Sequence, residues 1–88
     1  MNITRCLTIS ADHITPETAS ALDNGDEVGV VYYAKDGYGW WVYTEVISEN
    51  DLPDDLAKCL EVAIANECEL LCLDCDGEVL DELPVYEW

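Results

Sequence analysis

The chain alternates between segments of period-2 hydrophobicity and segments of helical spacing. Residues 3–10 alternate weakly and are rich in β-branched side chains, so they read as a strand. A helix is predicted over residues 16–24, because Thr15 suits the N-cap, Pro16 the first helical position and Gly25 the position just past the end. Its inward residues are Ala19 and Leu22. VGVVYYA at residues 28–34 is the clearest strand, and WWVYTEVI at 40–47 is its partner across the Asp-Gly turn signal of KDGYG, making residues 28–47 a hairpin. A second helix follows Pro53, with Asp54 and Asp55 complementing the helix dipole in its first turn. Leu56, Cys59, Leu60, Ala63 and Ile64 fall at i, i+3, i+4, i+7 and i+8, one apolar stripe. LLCL at residues 70–73 is a buried strand, DCDGE a turn, and the remainder an extended tail with room for a last edge strand, from which Pro84 excludes a central ladder.

The resulting order, β-α-β-β-α-β, matches the ferredoxin-like split βαβ arrangement. The expectation is one α+β domain over residues 1–88, a two-layer sandwich with an antiparallel sheet and two helices on one face. Leu, Ile and Val together number 23 of 88 residues, enough for a small core.

Charge changes this picture most. The chain carries 20 Asp and Glu against 3 Lys and Arg, a formal net charge of −17. Residues 1–44 hold 6 acids and 2 bases, whereas residues 45–88 hold 14 acids and 1 base. A phosphate-binding surface is excluded, because Arg5, Lys35 and Lys58 are too few and too scattered to neutralise a nucleic-acid backbone. Solubility asks for a net magnitude of only ~2–8 in a small domain. A charge of −17 repels itself and speeds encounter with a basic partner, so it points to a use. Duplex DNA carries one charge per ~1.7 Å of axis, and an acidic domain can present rows of comparable density to a Lys/Arg groove built for nucleic acid. The candidate partner-binding acids are Glu45, Glu49, Asp51, Asp54, Asp55, Glu61 and Glu67, extended by Asp23, Asp26, Glu27 and Asp36.

The aromatics crowd into the hairpin. Alternation sets Trp40 with Val42 on one face and Trp41 with Tyr43 on the other. One pair meets the helices; the other is covered by the tail, by a second copy in a homodimer, or serves as interface anchors, where Trp and Tyr are enriched. Trp41 and Tyr43 are the expected anchors.

Other chemistry finds less support. Cys68, Cys72 and Cys75 form C-x3-C-x2-C, but a zinc site wants four ligands converging tetrahedrally, and no second pair exists. Cys72 and Cys75 sit three apart, so strand alternation sends them to opposite faces. Buried thiols are the primary reading, with a thiol or zinc module on these three residues as the alternative. Asp74, Asp76 and Gly77 suggest a calcium loop, but placing Gly77 at position six puts Cys72 at position one and Leu83 at position twelve, where acids are required. One histidine, His13, and no nucleophile motif leave no catalytic set, so no enzyme and no cofactor is expected. The longest apolar run, residues 28–34, is far short of the ~20 residues of a membrane span. MNITRCLTIS lacks the basic-then-apolar pattern of a signal peptide, and five cysteines are most simply reduced thiols of a cytoplasm.

The strings CLDCDG and LPVYEW, with DHITPETASALDNGDEVGVVYYAKDGYGWWVY before them, resemble a family of short acidic proteins of bacterial and phage mobile elements. The resemblance implies a bacterial host cytoplasm and a horizontally transferred gene. By a looser analogy of size and charge, the chain is similar to anti-CRISPR and anti-restriction inhibitors that imitate DNA, which implies as partner a basic surface of a host defence complex, with no direct nucleic-acid contact.

Overall fold

A computed structural model describes residues 5–35 and 39–87. The expected Asp36 contact and the turn at residues 36–38 lie outside this range, as do the start of the first expected strand and Trp88. The elements are β1 (Cys6–Ser10), α1 (Pro16–Asn24), β2 (Val30–Ala34), β3 (Gly39–Val46), α2 (Asp54–Ala65) and β4 (Leu70–Asp74), with single 3-10 turns at Ala11–His13 and Glu49–Asp51. This is the expected α+β class and element order.

Local chemistry accounts for the helix limits. The Thr15 hydroxyl accepts from the Thr18 N–H, Pro16 opens α1, and Gly25 closes it in the left-handed region at φ 76°. α2 begins one residue after Pro53, with Asp54 and Asp55 in its first turn. β2 begins at Val30 rather than residue 28, because the Gly29 carbonyl is turned to accept from both the Ile47 and Ser48 N–H groups.

The sheet order is β1-β4-β3-β2. β2–β3 and β3–β4 are antiparallel, as expected. The β1–β4 ladder is parallel, so the sheet is mixed rather than wholly antiparallel. Period-2 alternation is compatible with either direction, since both bring the apolar faces of the two strands together. Leu7 and Ile9 pair with Leu71 and Leu73, which in turn lie opposite Val42 and Trp40. That line of apolar side chains forms the core face. Ala19 and Leu22 of α1 and Leu56, Cys59, Leu60 and Ala63 of α2 join the same cluster, so both helices cover one face of the sheet. Each fully buried Leu or Ile contributes roughly 1.5–3 kcal/mol from its removal from water.

After β4 the chain does not add a regular strand. It turns at Asp74–Gly77, and Glu78 forms a lone bridge to Ile9. Gly77 is required there, since a Cβ at that position would overlap the Ile9 carbonyl. The tail is then fastened by His13. Its Nδ1 donates to the Pro84 carbonyl at 2.8 Å, and its Nε2 accepts from the Leu80 N–H at 2.9 Å. The Tyr86 N–H reaches the Asp12 carbonyl at 2.9 Å, and Leu83 is buried beneath this segment.

Candidate protein-binding surface

The open face of the sheet follows from the register. Val31 and Tyr33 of β2, Trp41, Tyr43 and Glu45 of β3, and Leu70, Cys72 and Asp74 of β4 all point away from the helices. Tyr33 and Tyr43 meet edge to face, 6.1 Å between centroids. Trp41 and Tyr43 are both exposed, while Trp40 and Val42 are buried in the core. Lys35, just beyond β2, lies 4.5 Å from the Trp41 ring centre and donates to Cys72 Sγ at 3.1 Å and to Asp74 Oδ2 at 2.7 Å. Its pKa is pushed up to about 12, first by the Asp74 hydrogen bond and then by Cys72. The same bond holds the Asp74 carboxyl below its usual range, helped by the Asp76 N–H.

Toward the end of β3 this face runs into the acids. Ile47 is 70% exposed and continues the side of Tyr43 and Glu45. Two shallow hollows share it as a wall, and a third lies between the end of β3 and α2. One is walled by Glu27, Ile47 and Asp51, and a second by Tyr33, Tyr43, Glu45 and Ile47. The third joins Val46, Leu52 and Ile64 to Glu49, Asp54 and Glu61. The volumes are about 200, 290 and 320 Å³, at or below the small end of the ~300–1,000 Å³ typical of ligand pockets. Their linings contain neither histidine nor cysteine. Acids and apolar side chains thus alternate in two places: Glu27, Glu45 and Asp51 stand about Ile47, and Glu49, Asp54 and Glu61 stand about Ile64.

The remaining candidate acids are elsewhere. Asp23 and Asp26 are exposed at the end of α1 and just beyond it, and the Asp26 carbonyl accepts from the Tyr32 hydroxyl at 2.7 Å. Glu67 sits past α2 and pairs with Arg5 at 3.4 Å, an exposed contact worth little. Asp55 is not part of the outward field. It is buried, and its carboxylate accepts from the Thr15 N–H at 2.7 Å and the Thr18 hydroxyl at 3.0 Å, tying α2 to the start of α1. It shares the inner side of α2 with Cys59, four residues on.

Ile64 is a second correction. The apolar stripe predicts it inward, but the buried arc runs from Asp55 through Cys59 and Ala63 to Leu60, leaving Ile64 one step outside and 54% exposed. The sequence held a signal for its role: Asp54, Ala57, Glu61 and Ile64 recur at i, i+3, i+7 and i+10, a second stripe that lines the third hollow.

The cysteines do not assemble. Cys68 and Cys72 are buried and Cys75 is exposed. Among the described residues, the metal-ligating side chains within 4.8 Å of one another are Asp74, Cys75 and Asp76, not the three thiols. Burial pushes the Cys59 thiol up to about 12, with the Asp55 charge a lesser cause. The Cys75 thiol is raised by partial desolvation and by the neighbouring Asp76 and Asp74, and desolvation raises Cys6. No helix among the described residues is long and apolar enough to cross a membrane.

No curated protein and no solved structure matches the chain. The profile of the family of unknown function (DUF5983) C-terminal domain matches residues 6–88, nearly the whole sequence. The chain therefore belongs to the DUF5983 C-terminal domain family.

Proposed function

We propose that the protein is a non-enzymatic inhibitor that docks on a basic, nucleic-acid-binding surface and excludes nucleic acid from it. The observation that supports this reading is the placement of acids beside exposed apolar side chains: Glu27, Glu45 and Asp51 about Ile47, and Glu49, Asp54 and Glu61 about Ile64. The carboxylates steer a cationic partner and pair with its guanidinium groups, while the apolar side chains supply desolvated contact area. Two of the three cations are engaged elsewhere, Arg5 with Glu67 and Lys35 with Asp74. The sole histidine has both ring nitrogens committed to the backbone, which removes the usual proton-transfer group. The setting we infer is a bacterial cytoplasm, the partner a host defence complex of the anti-CRISPR or anti-restriction target type, and the inhibition a form of DNA mimicry.

The test is capture from a bacterial extract followed by competition. The captured partner should release duplex DNA as the protein is added, and capture should fall steeply between low and high salt. A Glu49→Lys, Asp54→Lys, Glu61→Lys triple variant should lose capture while remaining folded. A partner without a nucleic-acid site, or full capture by the triple variant at the same salt, sinks the reading.

A further inference from the structure

The two edges of the sheet are finished differently. On β1, Ile9 pairs with Leu73 on one side and bridges Glu78 on the other, and the Ser10 N–H donates to the Glu78 carbonyl at 2.8 Å. That edge is covered at its Ile9–Ser10 end. β2 pairs with β3 and with no other strand among the described residues. The direction of its free backbone groups follows from one bond. The Lys35 N–H donates to the Gly39 carbonyl at 2.9 Å, so Lys35 belongs to a hydrogen-bonded pair of the antiparallel ladder. Ala34 and Tyr32, opposite Trp40 and Val42, alternate with it, and their N–H and C=O groups point out of the sheet. VVYYA contains no charge and no proline, the usual devices that protect an edge strand. Ala34 is exposed, and beside it Tyr33 and Val31 are 59% and 41% exposed on the open face.

The geometry points to strand addition at β2: an extended, lysine- or arginine-rich segment of a partner polypeptide pairs with Tyr32 and Ala34 as a fifth strand. This inference rests on the docking function proposed above and specifies the form of the partner's contact. Charge selects the occupant. A second copy would bring another net charge of −17 against this edge. A cationic strand meets Asp26 and Glu27 ahead of β2 and Glu45 on the open face of β3, all exposed. Alternation in the added strand then sends one set of side chains onto Val31 and Tyr33, while main-chain hydrogen bonds hold the register.

The probe is a synthetic decapeptide of alternating lysine and valine, compared with the same peptide N-methylated at every amide. With the unmodified peptide, hydrogen exchange at the Tyr32 and Ala34 amides should slow at least tenfold, and the methylated peptide should bind at least tenfold more weakly. Ala34→Pro removes an outward donor and should weaken binding of the unmodified peptide by a similar factor; the two-peptide comparison stands even if that variant fails to fold. Equal binding of both peptides, protection confined to other strands, or self-association through β2 in sedimentation overturns the inference. Loss of capture in the Glu49, Asp54, Glu61 variant alongside such a result would leave the docking function standing and remove strand addition alone. Protection at β2 with capture intact in that variant would do the reverse.

Discussion

Lys35 reaches across β3 to β4, placing its Nζ 2.7 Å from Asp74 Oδ2. The side chain passes over the Trp41 ring on the way and also donates to Cys72. This explains an oddity of the open sheet face. Cys72 lies on the side away from the helices, yet it is only 1% exposed. Amphipathic lysine stems commonly cover surface in this way while the ammonium stays hydrated or paired.

Two variants of Lys35 should therefore have distinct readouts. The Asp74 carboxyl, held low first by Lys35, should titrate closer to the usual carboxylate range in Lys35→Met, followed by NMR of the carboxyl carbon. The sign is fixed by the lowered folded value: the contact contributes fully above the ordinary Asp pKa and is lost as pH falls through the folded one. At the other extreme it is complete below the ordinary lysine value of 10.5 and is lost as pH rises from there through about 12, where Lys35 discharges. Lys35→Ala, which removes the covering stem as well, should make Cys72 reactive toward a thiol reagent in the folded protein. Unchanged Asp74 titration would show that the pairing does not persist in solution.

Asp55→Ala should destabilise the fold by about 2–4 kcal/mol, since hydrogen bonds to a charged acceptor contribute ~1.5–3 kcal/mol each and the Thr15 N–H would be left without its partner. Asp54→Ala, one residue earlier and exposed, should change stability by less than about 0.5 kcal/mol. Urea unfolding of the two variants separates the roles. Equal midpoints would contradict the distinction between a tie that joins the helices and a surface charge. Charge-reversal tests of partner binding must for this reason leave Asp55 in place.

Adjacent acids of the same type illustrate where sequence reading reaches its limit. The elements were legible, because Thr15, Pro16 and Gly25 mark α1 unambiguously and alternation separates Trp40 and Val42 from Trp41 and Tyr43. Pairing partners far apart in the chain leave no local trace, so the parallel β1–β4 ladder was not readable from residues 6–10 and 70–74. Abundance alone singles out the acids in the sequence, and abundance carries no direction. Which of them stand beside Ile47 or Ile64 is set by the fold, and an exposed isoleucine looks in sequence like any core residue. The Lys35–Asp74 contact likewise joins residues 39 apart and follows from the strand order alone.

His13 should prove to be the latch of the C-terminal segment. Its two ring nitrogens are used in opposite senses, Nδ1 donating to the Pro84 carbonyl and Nε2 accepting from the Leu80 N–H. His13→Ala removes both bonds and empties a fully buried position, for an expected loss of about 2–4 kcal/mol. Hydrogen exchange localises the effect: the Leu80 and Tyr86 amides should lose protection before those of β3. Uniform loss across the sheet would mean that His13 acts as general core rather than as a fastening for the tail.

Cys59 supplies a prediction at alkaline pH. Its thiol is buried among Leu56, Leu60 and Ala63 and donates weakly to the His13 carbonyl at 3.6 Å. Burial pushes its pKa up to about 12 from the ordinary 9.0, so the folded state holds this proton more tightly than the unfolded one. The associated stability is complete below pH 9 and declines as pH rises from there through about 12, at a slope on the order of 1 kcal/mol per pH unit. Cys59→Ala abolishes the titration and should flatten that part of the stability curve, at the expense of a small cavity. Thiol labelling gives the kinetic counterpart. Exposed Cys75 and Cys6 should react in the folded protein, slowed at neutral pH by their raised pKa values, whereas Cys59 should react at the rate of unfolding. Stability curves of the parent and the variant that stay parallel above pH 9 would remove Cys59 as the source of alkaline sensitivity.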